Sequence, residues 1–177
     1  MAIIRKFNRS TSDNGTIFAN TSGDVLKLIA GKQITSRPLD VASVAKALNI
    51  GIEYKPLDSE ISGILRKEND KWTVYVNNKH PETRQRFTIA HEIAHFCLHR
   101  YTKTLFEDVM FFRGTSISPE EYEANKFAGE ILMPENIFRE QIRQGNRKIS
   151  DLAEFFGVSA LALRVRAKAL KMEGHGL

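Results

Sequence analysis

One cysteine, Cys97, stands in the 177 residues, so no disulfide can form within the chain. No apolar run approaches the roughly 20 residues that span a bilayer. The basic residues near the start, Arg5 and Lys6, are followed by no long apolar core, as a secretory signal would require. Internal repeats and low-complexity tracts are absent, which excludes solenoids and fibres. These absences lead us to expect a cytoplasmic protein with no membrane partner. What is present is ordinary for a globular domain: 42% hydrophobic and 27% charged residues.

The net charge is +5, unevenly spread. Between Arg139 and Leu177 eight Lys/Arg stand against four Asp/Glu, whereas between Glu82 and Glu135 six stand against nine. The middle is acidic and the tail basic, which permits nucleic-acid contact without requiring it.

Residues 8–24 are rich in Ser, Thr, Asn and Gly and read as an irregular arm. We therefore divide the chain into an N-terminal, partly flexible arm (1–37), a core (38–134) and a helical subdomain (135–177). A helix is expected from Pro38 to Asn49, with Val41, Val44, Ala45 and Leu48 on one face. Strands are expected at Ile52–Pro56, Ile61–Lys67 and Trp72–Asn77, the last two joined by Glu68-Asn69-Asp70-Lys71, in a small antiparallel sheet. Trp72–Asn77 leads directly into the next helix, so its free edge is expected to border a cleft and pair with an extended substrate. A long helix follows from near Thr83 to Arg100, then a loop over 102–117 whose Phe111 and Phe112 either fill the core or gate the cleft. Ser118-Pro119-Glu120-Glu121 is a strong helix start, and that helix ends before Pro134. Short helices are expected near 135–144, 150–156 and 159–171.

The chemistry lies in His91-Glu92-Ile93-Ala94-His95, the pattern H-E-x-x-H on a helix. Histidines at i and i+4 share one face, so both imidazoles reach one metal, and Glu92 stands beside it without ligating. Zn²⁺ suits neutral imidazoles, and the carboxylate can accept a proton from water acidified by the metal. Leu98 and Tyr101 occupy the positions where a metzincin carries Gly and His, so that arrangement is excluded. A Glu from a later helix is the alternative third ligand. Glu121 offers E-x-x-x-N with Asn125, whose side chain can reach the outer nitrogen of a ligand histidine. Glu120 and Glu123 compete with it. His99, one turn beyond His95, is open to three readings, a further ligand, a transition-state donor or, the favoured one, a histidine hydrogen-bonded beneath the site; Cys97 is read as a small buried thiol.

Two blocks carry a resemblance. Arg84-Gln85-Arg86-Phe87-Thr88-Ile89-Ala90-His91-Glu92-Ile93-Ala94-His95, with Leu98-His99, is one. Glu121-Tyr122-Glu123-Ala124-Asn125-Lys126-Phe127-Ala128-Gly129-Glu130-Ile131-Leu132-Met133-Pro134 is the other, with Ile131 replacing a leucine of the pattern. Together they resemble the ImmA/IrrE family of zinc metallopeptidases, over about residues 38–171. The resemblance implies an α+β, zincin-like core with a gluzincin-like site: His91, His95 and Glu121 as ligands of Zn²⁺ and Glu92 as general base. It also implies a substrate, a helix-turn-helix repressor of a mobile element or stress regulon encoded nearby. Nothing in composition or spacing indicates that substrate.

Residues 150–159 resemble the first half of a helix-turn-helix. The following helix opens with Ser159-Ala160-Leu161-Ala162-Leu163, which offers one hydroxyl to base edges, so sequence-specific DNA binding is not favoured. The rival to a peptidase is a regulatory or DNA/protein-binding module, for example of a toxin–antitoxin-like pair, whose metal site does no catalysis.

Overall fold

The computed structural model describes residues 19–109 and 117–172. Its order is α1 (Ser22–Gly31), α2 (Val41–Ala47), β1 (Ile50–Lys55), β2 (Ile61–Glu68), β3 (Lys71–Asn77), α3 (Glu82–His99), β4 (Leu105–Val109), α4 (Pro119–Leu132), α5 (Glu135–Arg143), α6 (Ile149–Phe156) and α7 (Ala160–Ala169). The fold is mixed α+β, as expected.

The sheet corrects the sequence reading in three ways. Its order is β1-β3-β2-β4, with β1 parallel to β3 and both other pairs antiparallel, so it is mixed and has four strands. The β2–β3 hairpin turns on two residues, not four. Asn69 and Asp70 both have positive φ (47° and 62°), the left-handed pair that matches strand twist in a two-residue turn. Most consequentially, β3 lies between β1 and β2, so Trp72–Asn77 offers no free edge to a substrate. The interior position suits its side chains: Trp72, Val74 and Val76 are buried. An outer edge belongs instead to β4, formed by part of the segment read as a loop. Phe111 and Phe112 lie outside the described residues.

The N-terminal reading is corrected too. Helix α1 begins at Ser22, inside the stretch taken as irregular arm. Thr21 accepts from the Asp24 backbone N–H, while the Asp24 carboxylate accepts from the Thr21 N–H, a reciprocal capping box. Val25, Leu28 and Ile29 are buried, and α1 packs on α4, where the Ser22 hydroxyl donates to Glu130. The polar composition of the stretch concealed the cap.

Helix α3 is the axis of the molecule. It packs against β2, β3 and β4 on one side and α2 and α4 on the others. Ten consecutive residues, Thr88 to Cys97, are therefore buried, polar ones included. On the far side Phe138 of α5 stacks on Phe156 of α6, ring centroids 5.6 Å apart, and α6 packs on α7.

Arg86 ties these parts together. From α3 its Nε donates to the Gly157 carbonyl (3.1 Å) and its Nη2 to the Leu39 carbonyl (2.8 Å). Gly157 is the left-handed cap of α6 (φ 62°), and a Cβ there would lie 2.7 Å from both Arg86 Nε and Pro38 Cβ. Arg86→Met leaves two carbonyls of buried residues without this donor. We expect it to lower unfolding stability by about 2–4 kcal/mol in urea titrations, from the typical cost of unsatisfied acceptors.

Candidate metal centre

His91 and His95 lie one turn apart on α3, and Glu121 opens the facing helix α4. Ser118 caps α4 by accepting from the Glu121 backbone N–H, which fixes the first turn, and with it Glu121, against α3. His91 Nε2 lies 3.1 Å from Glu121 Oε2, and His95 Nε2 lies 3.2 Å from Glu121 Oε1. The two Nε2 atoms are 3.0 Å apart. One nitrogen from each imidazole and one carboxylate group thus converge within 4.8 Å.

The outer nitrogens are held as well. His91 Nδ1 lies 3.1 Å from Asn125 Oδ1, the contact expected from E-x-x-x-N. An amide oxygen only accepts, so His91 carries a proton on Nδ1, which leaves Nε2 as the nitrogen able to give a lone pair to a metal in place of its proton. His95 Nδ1 lies 3.1 Å from His99 Nδ1, and His99 Nε2 lies 3.5 Å from Glu123 Oε2. A consistent set of tautomers runs along this chain: His95 donates to His99, whose own proton faces Glu123. His99 thus sits under the site, as anticipated. Glu123 serves His99 rather than the converging group, and Glu120 pairs with Lys103. Cys97 is buried and free, and burial pushes its thiol up to about 12.

Electrostatics express the crowding. Burial works against the charged form of His91, but Glu121, Glu92 and Asp108 outweigh it and raise it to about 9. His95 is lowered, chiefly by burial. Glu121 stays far below the ordinary carboxylate range: burial opposes this, but hydrogen bonds from both histidines prevail. Glu92 differs from all three. It is fully buried, and neither carboxylate oxygen has a hydrogen-bond partner. Burial, with Asp108 and Glu121 nearby, pushes it up to about 8 against the pull of His91.

Two sheet residues escaped the sequence reading. Phe106 of β4 stacks on His95, centroids 4.8 Å apart at 20°. Asp108, two residues on and so on the same face, has a carboxylate oxygen within 4.8 Å of the ligand atoms of both His91 and Glu92. Opposite Asp108 in the register stands Gly63 of β2. A Cβ on Gly63 would come 2.4 Å from Thr88 Cγ2 and 3.5 Å from Glu92 Oε1, so the glycine admits α3 to the sheet at the site. The available signals were a glycine inside a strand pattern and the alternation Phe106-x-Asp108.

The donor set fits a divalent metal. Two imidazoles whose Nε2 atoms face inward and one carboxylate match the three-ligand set of catalytic zinc sites, which leave a fourth position for water. Asn125 and His99 supply the outer hydrogen bonds such ligands need. Asn125→Ala is expected to weaken metal affinity by about 10–100-fold, measured by competition with a chromophoric chelator.

A buried helix bearing H-E-x-x-H thus faces a glutamate on a second helix. The chain belongs to the Peptidase_M78 family, whose model, described as the IrrE N-terminal-like domain, matches residues 45–168. A relative from Bacillus phage phi105, "Uncharacterized immunity region protein 2", is 30% identical over 131 residues, which cover 73% of this chain and 78% of the relative. Membership of this peptidase family implies a bound metal. No helix among the described residues is long and apolar enough to cross a membrane.

Proposed function

We propose that the chain is a zinc-dependent endopeptidase in which His91, His95 and Glu121 hold the metal and Glu92 is the general base. The observation that carries this reading is the buried, unpartnered carboxylate of Glu92 beside the converging ligands. A purely structural metal site has no use for such a group, whose burial without partners is costly.

Zinc, when bound, supplies Lewis acidity, acidifying water and polarising a carbonyl oxygen. The chain's own residues do the rest. Glu92 takes a proton from the attacking water and passes it to the leaving amine. Burial raises its proton affinity toward neutrality, which suits a group that must both accept and release a proton. Asn125 and His99 hold the two imidazoles in register. In this reading an extended substrate backbone pairs with the outer edge of β4, which pairs with β2 alone among the described strands.

The substrate in this reading is a helix-turn-helix repressor encoded nearby. The name of the phage relative, an immunity region protein, supports that setting. Helices α6 and α7, joined by three residues, form a helix-turn-helix-like pair within a subdomain over 135–177 that we assign to packing or substrate docking. DNA reading is disfavoured because Ser159, the one hydroxyl at the start of α7, is occupied as its cap, accepting from the Ala162 N–H at 3.1 Å. The test is co-expression with the product of the adjacent repressor gene, with fragments identified by mass spectrometry. Stoichiometric zinc and a defined cut support the reading. Zinc binding with an intact partner assigns the chain to the binding-module class.

A further inference from the structure

Asp108 acts on His91 and Glu92 through its charge alone. It is half-buried, yet among the described residues its carboxylate forms no hydrogen bond or ion pair. His91 does not need it, since Nδ1 of that ring faces Asn125 and Nε2 faces Glu121. Its neighbour across the gap is Glu92, equally without a partner. The two come together because β4 turns Asp108 toward α3 and because Gly63, opposite it, has no side chain to fill the space.

We propose that Glu92 and Asp108 form a subsite for one primary ammonium nitrogen of the substrate or product. This rests on the peptidase reading for its biological use, but not for its binding chemistry. The two carboxylates are close enough to share one donor group: an oxygen of each lies no more than 4.8 Å from the other, within the span of one nitrogen making two charge-assisted N–H···O bonds of about 2.8 Å. In catalysis the nitrogen is the leaving amine. Glu92 delivers one proton to it as the C–N bond breaks, which gives the neutral amine; the proton of the newly formed carboxylic acid then makes it an ammonium group, and Glu92 and Asp108 accept its N–H bonds.

A second metal in the same place is the competing occupant, since His91, Glu92 and Asp108 also offer three donors. It would take His91 Nε2 from the first metal and Glu92 from proton transfer, so the ammonium is the better fit.

The experiment is calorimetric binding to the full, zinc-loaded chain of three probes: tetra-alanine amide with a free N-terminus, the same peptide N-acetylated, and the acetylated peptide with lysine in first position. Wild type is expected to bind the free amine roughly 10–100-fold more tightly than its acetylated form, the worth of one charged hydrogen bond. Asp108→Asn is expected to abolish the difference and Asp108→Glu to restore part of it, each retaining one zinc per chain. If the lysine peptide gains and the free amine does not, the subsite stands and its nitrogen comes from a side chain. Equal binding of all three probes overturns the proposal, as does a preference that survives Asp108→Asn. A second zinc equivalent in wild type that Asp108→Asn loses also overturns it. Amine binding by a chain that cuts no repressor would leave the subsite in place and remove the peptidase reading instead.

Discussion

Glu92→Gln is expected to lower peptide-bond hydrolysis by about 10²–10⁴-fold, the range typical of a positioned acid–base group. Glutamine keeps the size of the side chain but cannot take a proton. Zinc stoichiometry is expected to stay at one per chain, because Glu92 stands outside the His91–His95–Glu121 set. Steady-state cleavage of the repressor, with metal analysis on the same preparation, reads both quantities. Loss of zinc along with activity would make Glu92 structural, and unchanged activity would end the catalytic assignment. Stability should move the other way. In the metal-free chain burial raises Glu92 to about 8, above its value in the unfolded chain. Between the ordinary glutamate range and that value the folded state retains a proton the unfolded state has released. Wild-type stability therefore falls as pH rises through this window. Glu92→Gln has no such dependence and should be the more stable protein at its upper end. A variant that gains stability while losing activity is the signature of a group held in place for chemistry.

The second large effect concerns the ligands. Zinc at 1,000 times its dissociation constant stabilises a folded chain by about 4 kcal/mol, roughly 8–16 °C in Tm for a chain of this size. His91→Ala and Glu121→Ala should each lose that rise on zinc addition, and Glu123→Ala should keep it. The discrimination follows from geometry: Glu121 lies 3.1 and 3.2 Å from the two Nε2 atoms, whereas Glu123 lies 3.5 Å from His99. Scanning calorimetry with and without zinc is the measurement. Retention of the rise in Glu121→Ala with its loss in Glu123→Ala would exchange the two roles.

Much of the site was legible because its geometry is local. H-E-x-x-H needs one helical turn, and Glu121 and Asn125 need one more. The cap at Ser118 and the proline after it announce where that second turn begins. Even His99 follows the same four-residue step down α3. Each of these relations is fixed by 3.6 residues per turn and survives any arrangement of the rest of the chain.

What the sequence could not specify is everything that depends on which elements become neighbours. The order β1-β3-β2-β4 puts Trp72–Asn77 in the interior through pairing with β1, whose partners are Ile50↔Trp72 to Lys55↔Asn77, and gives an outer edge to Leu105–Val109 through pairing with β2, from Arg66↔Leu105 to Ile61↔Val109. The capping box that starts α1 is local, but its worth depends on Val25, Leu28 and Ile29 finding α4. Asp108 meets Glu92 only because Gly63 leaves a gap between two strands and a helix. The sequence by itself set the spacing of His91, Glu92 and His95 and of Glu121 and Asn125, the candidates for the site, since a helix fixes the spacing of side chains within it. Tertiary structure alone decided which strand faces the site and which carboxylate stands opposite Glu92, since register and packing are set by contacts between distant segments that no local periodicity encodes.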